Sequence, residues 1–111
     1  MTDTLAAPPD ILTLPSVPTD LLATSDLTGD TIFDLLNLAL DLKRDPSRHR
    51  STLAGRSVAL LFEKPSLRTR ASLEVGLHRL GAQAVVFDQQ DSPLGARESV
   101  KDLGRNLERW F

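Results

Sequence analysis

Ser57-Val58-Ala59-Leu60-Leu61-Phe62, followed at once by Glu63-Lys64-Pro65-Ser66-Leu67-Arg68-Thr69-Arg70, is the stretch that decides the fold. Six residues without a charge, rich in branched side chains, read as a strand buried on both faces, the kind found in parallel sheets. Pro65 cannot donate to a sheet ladder and ends that strand. From Leu67 the pattern changes period: Ala71, Val75 and His78 fall on one helical line, with Leu73, Leu77 and Leu80 beside it. A helix over Leu67 to Leu80 is predicted, with Gly81 placed to end it. A second short strand, Ala84 to Phe87, comes next. Strand, loop, helix, strand is the beginning of a parallel α/β sheet with right-handed crossovers.

Outward from that unit, the amino-terminal side offers a further helix. Thr28 is a hydroxyl cap, Asp30 an acid in the first turn, and Ile32, Leu35, Leu36, Ala39 and Leu42 recur at helical spacing. Phe33 and Leu40 widen the apolar face. Lys43 and Arg44 suit the carboxyl end and Pro46 lies just beyond, so the helix is placed at Gly29 to Arg44. On the other side, Asp88 to Arg97 is a polar loop with Pro93 and Gly95, and Glu98 to Trp110 is a last helix with Val100, Leu103, Leu107 and Trp110 on its apolar face. Residues 1–25 read as a flexible leader, since four of the chain's seven prolines lie within the first 18 residues. The fold class is α/β, a partial parallel sheet with flanking helices. Two strands are fewer than such a sheet needs, and the sequence stops on Trp110-Phe111, so residues 26–111 read as part of a longer domain.

Composition removes several function classes. The chain has 111 residues, enough for one small domain, with 41% hydrophobic and 25% charged residues. A net charge of −2 and five scattered aromatic residues give no footprint for nucleic acid. No apolar run is long enough for a membrane span. Met1 to Pro9 lack the features of a secretory signal, and the expected location is cytoplasmic. There is no cysteine, so disulfides and thiolate metal sites are excluded. His49 and His78 are too far apart in sequence to suggest a metal pair. His49 is expected to be solvated and His78 packed within its helix. Lys101, Arg105 and Arg109 form a solvated face, and Trp110 reads as core or subunit contact.

Chemistry concentrates in the loop after the first strand. Open α/β sheets bind ligands at the carboxyl ends of their strands. There the first amides of the following helix lack internal acceptors and the helix dipole favours an anion. Ser66 and Thr69 add hydroxyls, and Arg68 adds a planar fork able to hold two oxygens. These side chains fall within one helical turn and can converge on a small ligand. Arg70 is spaced to pair with Glu74. The alternative reading is an ordinary helix start with two surface arginines.

Phe62-Glu63-Lys64-Pro65-Ser66-Leu67-Arg68-Thr69-Arg70 closely resembles the carbamoyl-phosphate signature of the aspartate and ornithine carbamoyltransferases. Leu73-Glu74-Val75, Leu80-Gly81-Ala82 and Arg97-Glu98-Ser99-Val100-Lys101-Asp102 match the family in order and spacing, so the resemblance runs from about Asp26 to Phe111. The Phe-Glu-Lys lead-in is similar to the ornithine branch. The resemblance implies that Ser66, Leu67, Arg68 and Thr69 surround the phosphate of carbamoyl phosphate, with Arg68 the catalytic candidate. It implies L-ornithine as the second substrate, citrulline and phosphate as products in arginine biosynthesis, a homotrimer, and neither cofactor nor metal. Two positions depart from the pattern. Leu67 stands where many members have threonine, and Pro93 where many ornithine enzymes carry a glutamine that reaches a neighbouring subunit. Arg97 is the candidate to replace that contact. The family's further arginine, its His-Pro-Thr-Gln segment and its ornithine domain with a His-Cys-Leu-Pro loop are not in this sequence, so the chain alone is expected to be inactive. The alternatives are an aspartate-type transferase fragment and a non-catalytic phosphate-binding or interaction module.

Overall fold

A computed structural model of the chain describes residues 17–88 and 95–111. Most of the expected leader, and Pro93 with the middle of its loop, lie outside the described residues. The chain divides between Arg48 and His49 into two units.

The first unit is built on helix α1, Gly29–Arg44. Before it, a 3₁₀ turn over Thr24–Asp26 is tied by the Asp26 carboxylate, whose Oδ2 accepts from the amides of Leu22 (2.9 Å) and Ala23 (3.0 Å). Thr28 caps α1: its Oγ1 accepts from the Thr31 amide at 3.1 Å and lies 2.8 Å from the Thr31 hydroxyl. The buried positions of α1 are Thr31 and Leu38, with Leu35 and Leu42 half-buried. That stripe, 31-35-38-42, differs from the expected line, because Ile32, Leu36 and Ala39 are exposed. A threonine can occupy the buried end of the stripe because the cap already satisfies its amide and hydroxyl. The last turn carries Lys43 and Arg44, and the Asp45 amide closes on Asp41 O at 3.0 Å.

The second unit holds the sheet. Strand β1, Ser57–Phe62, and strand β2, Gln83–Asp88, run parallel in the register Ser57↔Gln83 through Phe62↔Asp88. Helix α2, Leu67–Arg79, connects them, and helix α3, Val100–Trp110, follows. β2 is one residue longer at each end than the sequence suggests. α3 begins two residues later, because Ser99 caps it through the Asp102 amide at 3.1 Å. Among the described residues the sheet has two strands, and within them only Leu60 is buried, while Leu61 remains 42% exposed. The expected burial on both faces is therefore not reached, since further elements are needed to cover both sides.

α2 ends in a Schellman turn. The Ala82 amide bonds Leu77 O (2.9 Å) and the Gly81 amide bonds His78 O (3.1 Å), with Gly81 at φ 89°. The chain around Gly81 is tight: an added Cβ would lie 2.7 Å from the backbone oxygen of Arg50. Leu53 N–H bonds Leu80 O, and Gln83 N–H bonds Arg56 O, both at 2.9 Å, so this turn sets where β2 starts beside β1. Phe87 and Phe111 meet edge to face, with ring centroids 6.1 Å apart. Among the described residues no helix is long and apolar enough to cross a membrane.

The two histidines exchange roles relative to expectation. His49 is buried, with Nδ1 3.4 Å from Thr52 Oγ1 and, among the described residues, no partner for Nε2. His78 is exposed. His49 sits in a 3₁₀ turn whose tight winding brings it within reach of Thr52, which local polarity alone does not reveal. His78 lies on α2, where no residue is buried.

Candidate anion site at the strand ends

Parallel register places Phe62 and Asp88 side by side at the carboxyl edge of the sheet. Pro65 turns the chain there, and Ser66, in extended conformation, starts α2. The result is a cleft of about 570 Å³, lined by Phe62, Glu63, Lys64, Pro65, Ser66, Leu67, Arg70 and Asp88. It lies at the edge where open α/β sheets accept ligands.

The three helices differ at their amino ends. Thr28 caps α1 and Ser99 caps α3 through side-chain oxygens, but Ser66 makes no such bond to α2. The first amides of α2 therefore receive no acceptor from their cap residue and can serve an anion, with the helix dipole adding to the attraction. Leu67 lines the same mouth and is 84% exposed, so its backbone rather than its side chain is the useful group.

Of the residues singled out in the sequence, Ser66 and Leu67 line the cleft. Arg68 and Thr69 belong to the same helical turn but not to the lining; both are exposed. Among the described residues Arg68 enters no ion pair. Thr69 O accepts a 3.0 Å bond from Ser72 Oγ, which leaves the Thr69 hydroxyl out of that contact. Arg97 is exposed and does not line the cleft.

Arg70 is arranged differently. Its Nε lies 3.3 Å from Glu74 Oε2, the pair expected from spacing, and its Nη1 lies 3.7 Å from Asp88 Oδ2. Sequence reasoning missed Asp88 and Lys64 as cleft residues. Asp88 could have been found as the last residue of a strand ending at the ligand-binding edge. Lys64 could have been found as the only cation in the turn between β1 and α2. The lining carries two cations, Lys64 and Arg70, against two carboxylates, Glu63 and Asp88, so its side chains cancel in formal charge. Net attraction for an anion must come from the α2 amides and from cations close to the mouth, Arg68 foremost.

Comparison with known proteins agrees with this geometry. The family model described as "aspartate/ornithine carbamoyltransferase, carbamoyl-P binding domain" matches residues 19–111. An ornithine carbamoyltransferase from Vibrio sp. (strain 2693) is 45% identical over 91 residues, covering 82% of this chain and 30% of the relative. The crystal structure of ornithine carbamoyltransferase from Thermus thermophilus superposes with a TM-score of 0.73 at 49% identity, covering 84% of this chain and 32% of that one. A variant of N-acetyl-L-ornithine transcarbamylase, solved with carbamyl phosphate and N-succinyl-L-norvaline, gives a TM-score of 0.73 at 32% identity, over 84% of this chain and 31% of that one. The chain thus spans about three-tenths of the length of these relatives. An α/β unit with a ligand edge of this kind, matched over nearly its whole described length, belongs to the aspartate/ornithine carbamoyltransferase family of enzymes as its carbamoyl-phosphate-binding domain.

Proposed function

We propose that residues 26–111 hold carbamoyl phosphate for an ornithine carbamoyltransferase. The observation that carries this reading is the uncapped amino end of α2 opening into a cleft at the strand ends. In the whole enzyme the side-chain amine of L-ornithine attacks the carbonyl carbon of carbamoyl phosphate. A carbon–nitrogen bond forms, the carbon–oxygen bond to phosphate breaks, phosphate leaves with the electron pair, and the amine gives up a proton. The products are citrulline and phosphate, a step of arginine biosynthesis carried out by a cytoplasmic homotrimer.

The roles proposed here rest on the family resemblance and on position in the first turn of α2. The α2 amides at Leu67 and beyond and the hydroxyls of Ser66 and Thr69 hold the phosphate. Arg68, which enters no ion pair among the described residues, reaches over the mouth and stabilises charge on the departing phosphate and the carbonyl oxygen. Arg97 supplies a charge toward a neighbouring subunit. The ornithine branch is favoured over the aspartate branch by the Phe62-Glu63-Lys64 lead-in and by the names of the relatives in sequence and structure. Proximity of two substrates is the main source of such catalysis. The chain spans about three-tenths of its relatives' length, and the part proposed for it is the carbamoyl-phosphate side of that encounter.

The test is calorimetric titration of the purified chain with carbamoyl phosphate, alongside an assay for citrulline with L-ornithine present. Expected are binding, a loss of about tenfold or more in Arg68→Ala from the missing charge-assisted bonds, and no citrulline. Citrulline made by the chain and abolished by Arg68→Ala would overturn the assignment of a binding-only part. Absence of binding would overturn the anion site itself. A non-catalytic module has the same binding signature; it is favoured instead if a longer chain carrying the remaining family segments also makes no citrulline.

A further inference from the structure

The cleft poses an electrostatic problem. A phosphate at the amino end of α2 would share a small space with the Asp88 carboxylate, which lines the same cleft. Like charges in one site repel unless a counter-charge stands beside them. Arg70 occupies that position. It sits about 6 Å along α2 from Ser66 by helical rise, with Nη1 3.7 Å from Asp88 and Nε 3.3 Å from Glu74. Its guanidinium is thus committed to two carboxylates, whereas Arg68 enters no ion pair among the described residues.

We propose that Arg70 is a positioning residue that screens Asp88 from the anion, so that phosphate can occupy the mouth of α2 without Arg70 itself holding it. This rests on the anion-site reading above and assigns the two arginines of the loop different work: Arg68 meets the ligand, Arg70 meets the protein. Both members of the Arg70–Asp88 pair are partly exposed, at 44% and 35% of their side chains, so water moderates the effect and it is modest in size.

The experiment is titration of the full 111-residue chain with inorganic phosphate in four forms: wild type, Arg70→Ala, Asp88→Asn, and the double variant. Arg70→Ala is expected to weaken phosphate binding about three- to tenfold, a deficit that shrinks as salt rises. Asp88→Asn is expected to tighten it by about two- to threefold. The double variant should return to at least wild-type affinity, because the charge that needed screening is gone. Melting temperatures measured in parallel separate this from a structural brace, which would make Asp88→Asn weaken binding as Arg70→Ala does. Arg70→Gln, which keeps most of the side-chain stem, takes the place of Arg70→Ala if the latter fails to fold. A double variant as weak as Arg70→Ala would overturn the screening role and make Arg70 a direct ligand. Unchanged affinity in Arg70→Ala would overturn any role for it. Failure of the wild type to bind phosphate is a separate result, and it removes the anion site together with this inference.

Discussion

Asp26 shows how much a single exposed side chain can organise. Its carboxylate accepts from the Leu22 and Ala23 amides, and those bonds hold its pKa below the ordinary carboxylate range, the Leu22 bond contributing most. The sign of the consequence is fixed by linkage. A depressed folded-state value means the ionised form is favoured by folding. The contribution is then fully present above the unfolded value, about 3.9, and is lost as pH falls through the folded one. As pH falls below the unfolded value and through the depressed folded one, the amides of Leu22 and Ala23 should therefore lose protection, and Asp26→Asn should abolish that dependence. Carboxyl shifts followed by NMR across pH 2 to 6, about the span of ordinary carboxylate titration, read this directly. An Asp26 midpoint at or above the unfolded value would remove the explanation. None of this was visible in the sequence, because Asp26 reads as one of several acids near a helix start until the turn before it is known. His49 and His78 make the same point: their polarity was legible, but their burial depends on turns and on which helix face is covered.

At the scale of elements the sequence carried far more. α1 and β1 fall where capping and apolar runs put them, and the α2 terminus was signalled by Gly81. These are local rules, and local rules survive in any context. The apolar stripe of α1 was not legible in the same way, since a capped threonine can replace an aliphatic residue at a buried end. For the site, Ser66 and Leu67 could be read from the loop, but the Arg70–Asp88 pair joins residues far apart in sequence and requires the strand register. Gly76 within α2 and Gly81 in the turn that ends it make a contrast that tests the element itself. Gly81 is held at φ 89° with the Arg50 carbonyl 2.7 Å from any added Cβ, so Gly81→Ala should cost about 2 kcal/mol or more. Gly76 lies within the helix with nothing inside 4 Å of an added Cβ, so Gly76→Ala should stabilise by about 0.5–1 kcal/mol. Denaturant titration of both variants gives the comparison. Equal effects would mean that the Schellman turn does not set the end of α2.

The whole molecule is lightly cored: among the described residues the buried apolar side chains are Leu38, Leu60 and Ala82, while Phe33, Leu36, Leu73, Val75 and Trp110 are exposed. A chain with so little buried apolar surface gains proportionately from any ligand that binds only its folded form. Phosphate at about a hundred times its dissociation constant contributes about 2.7 kcal/mol by mass action, which for a domain of this size raises the melting temperature by about ten degrees. Phosphate also stabilises proteins non-specifically by exclusion from their surface, so a rise in the wild type alone proves little. Arg68→Ala separates the two effects, because exclusion does not depend on one arginine whereas site binding does. The expected result is a large phosphate-dependent rise in the wild type and only the small non-specific rise in Arg68→Ala. Hydrogen exchange should place the added protection over β1, α2 and β2, the elements that form the cleft. An equal rise in both proteins would mean that the cleft does not hold the anion, and the binding role assigned to α2 would fall with it.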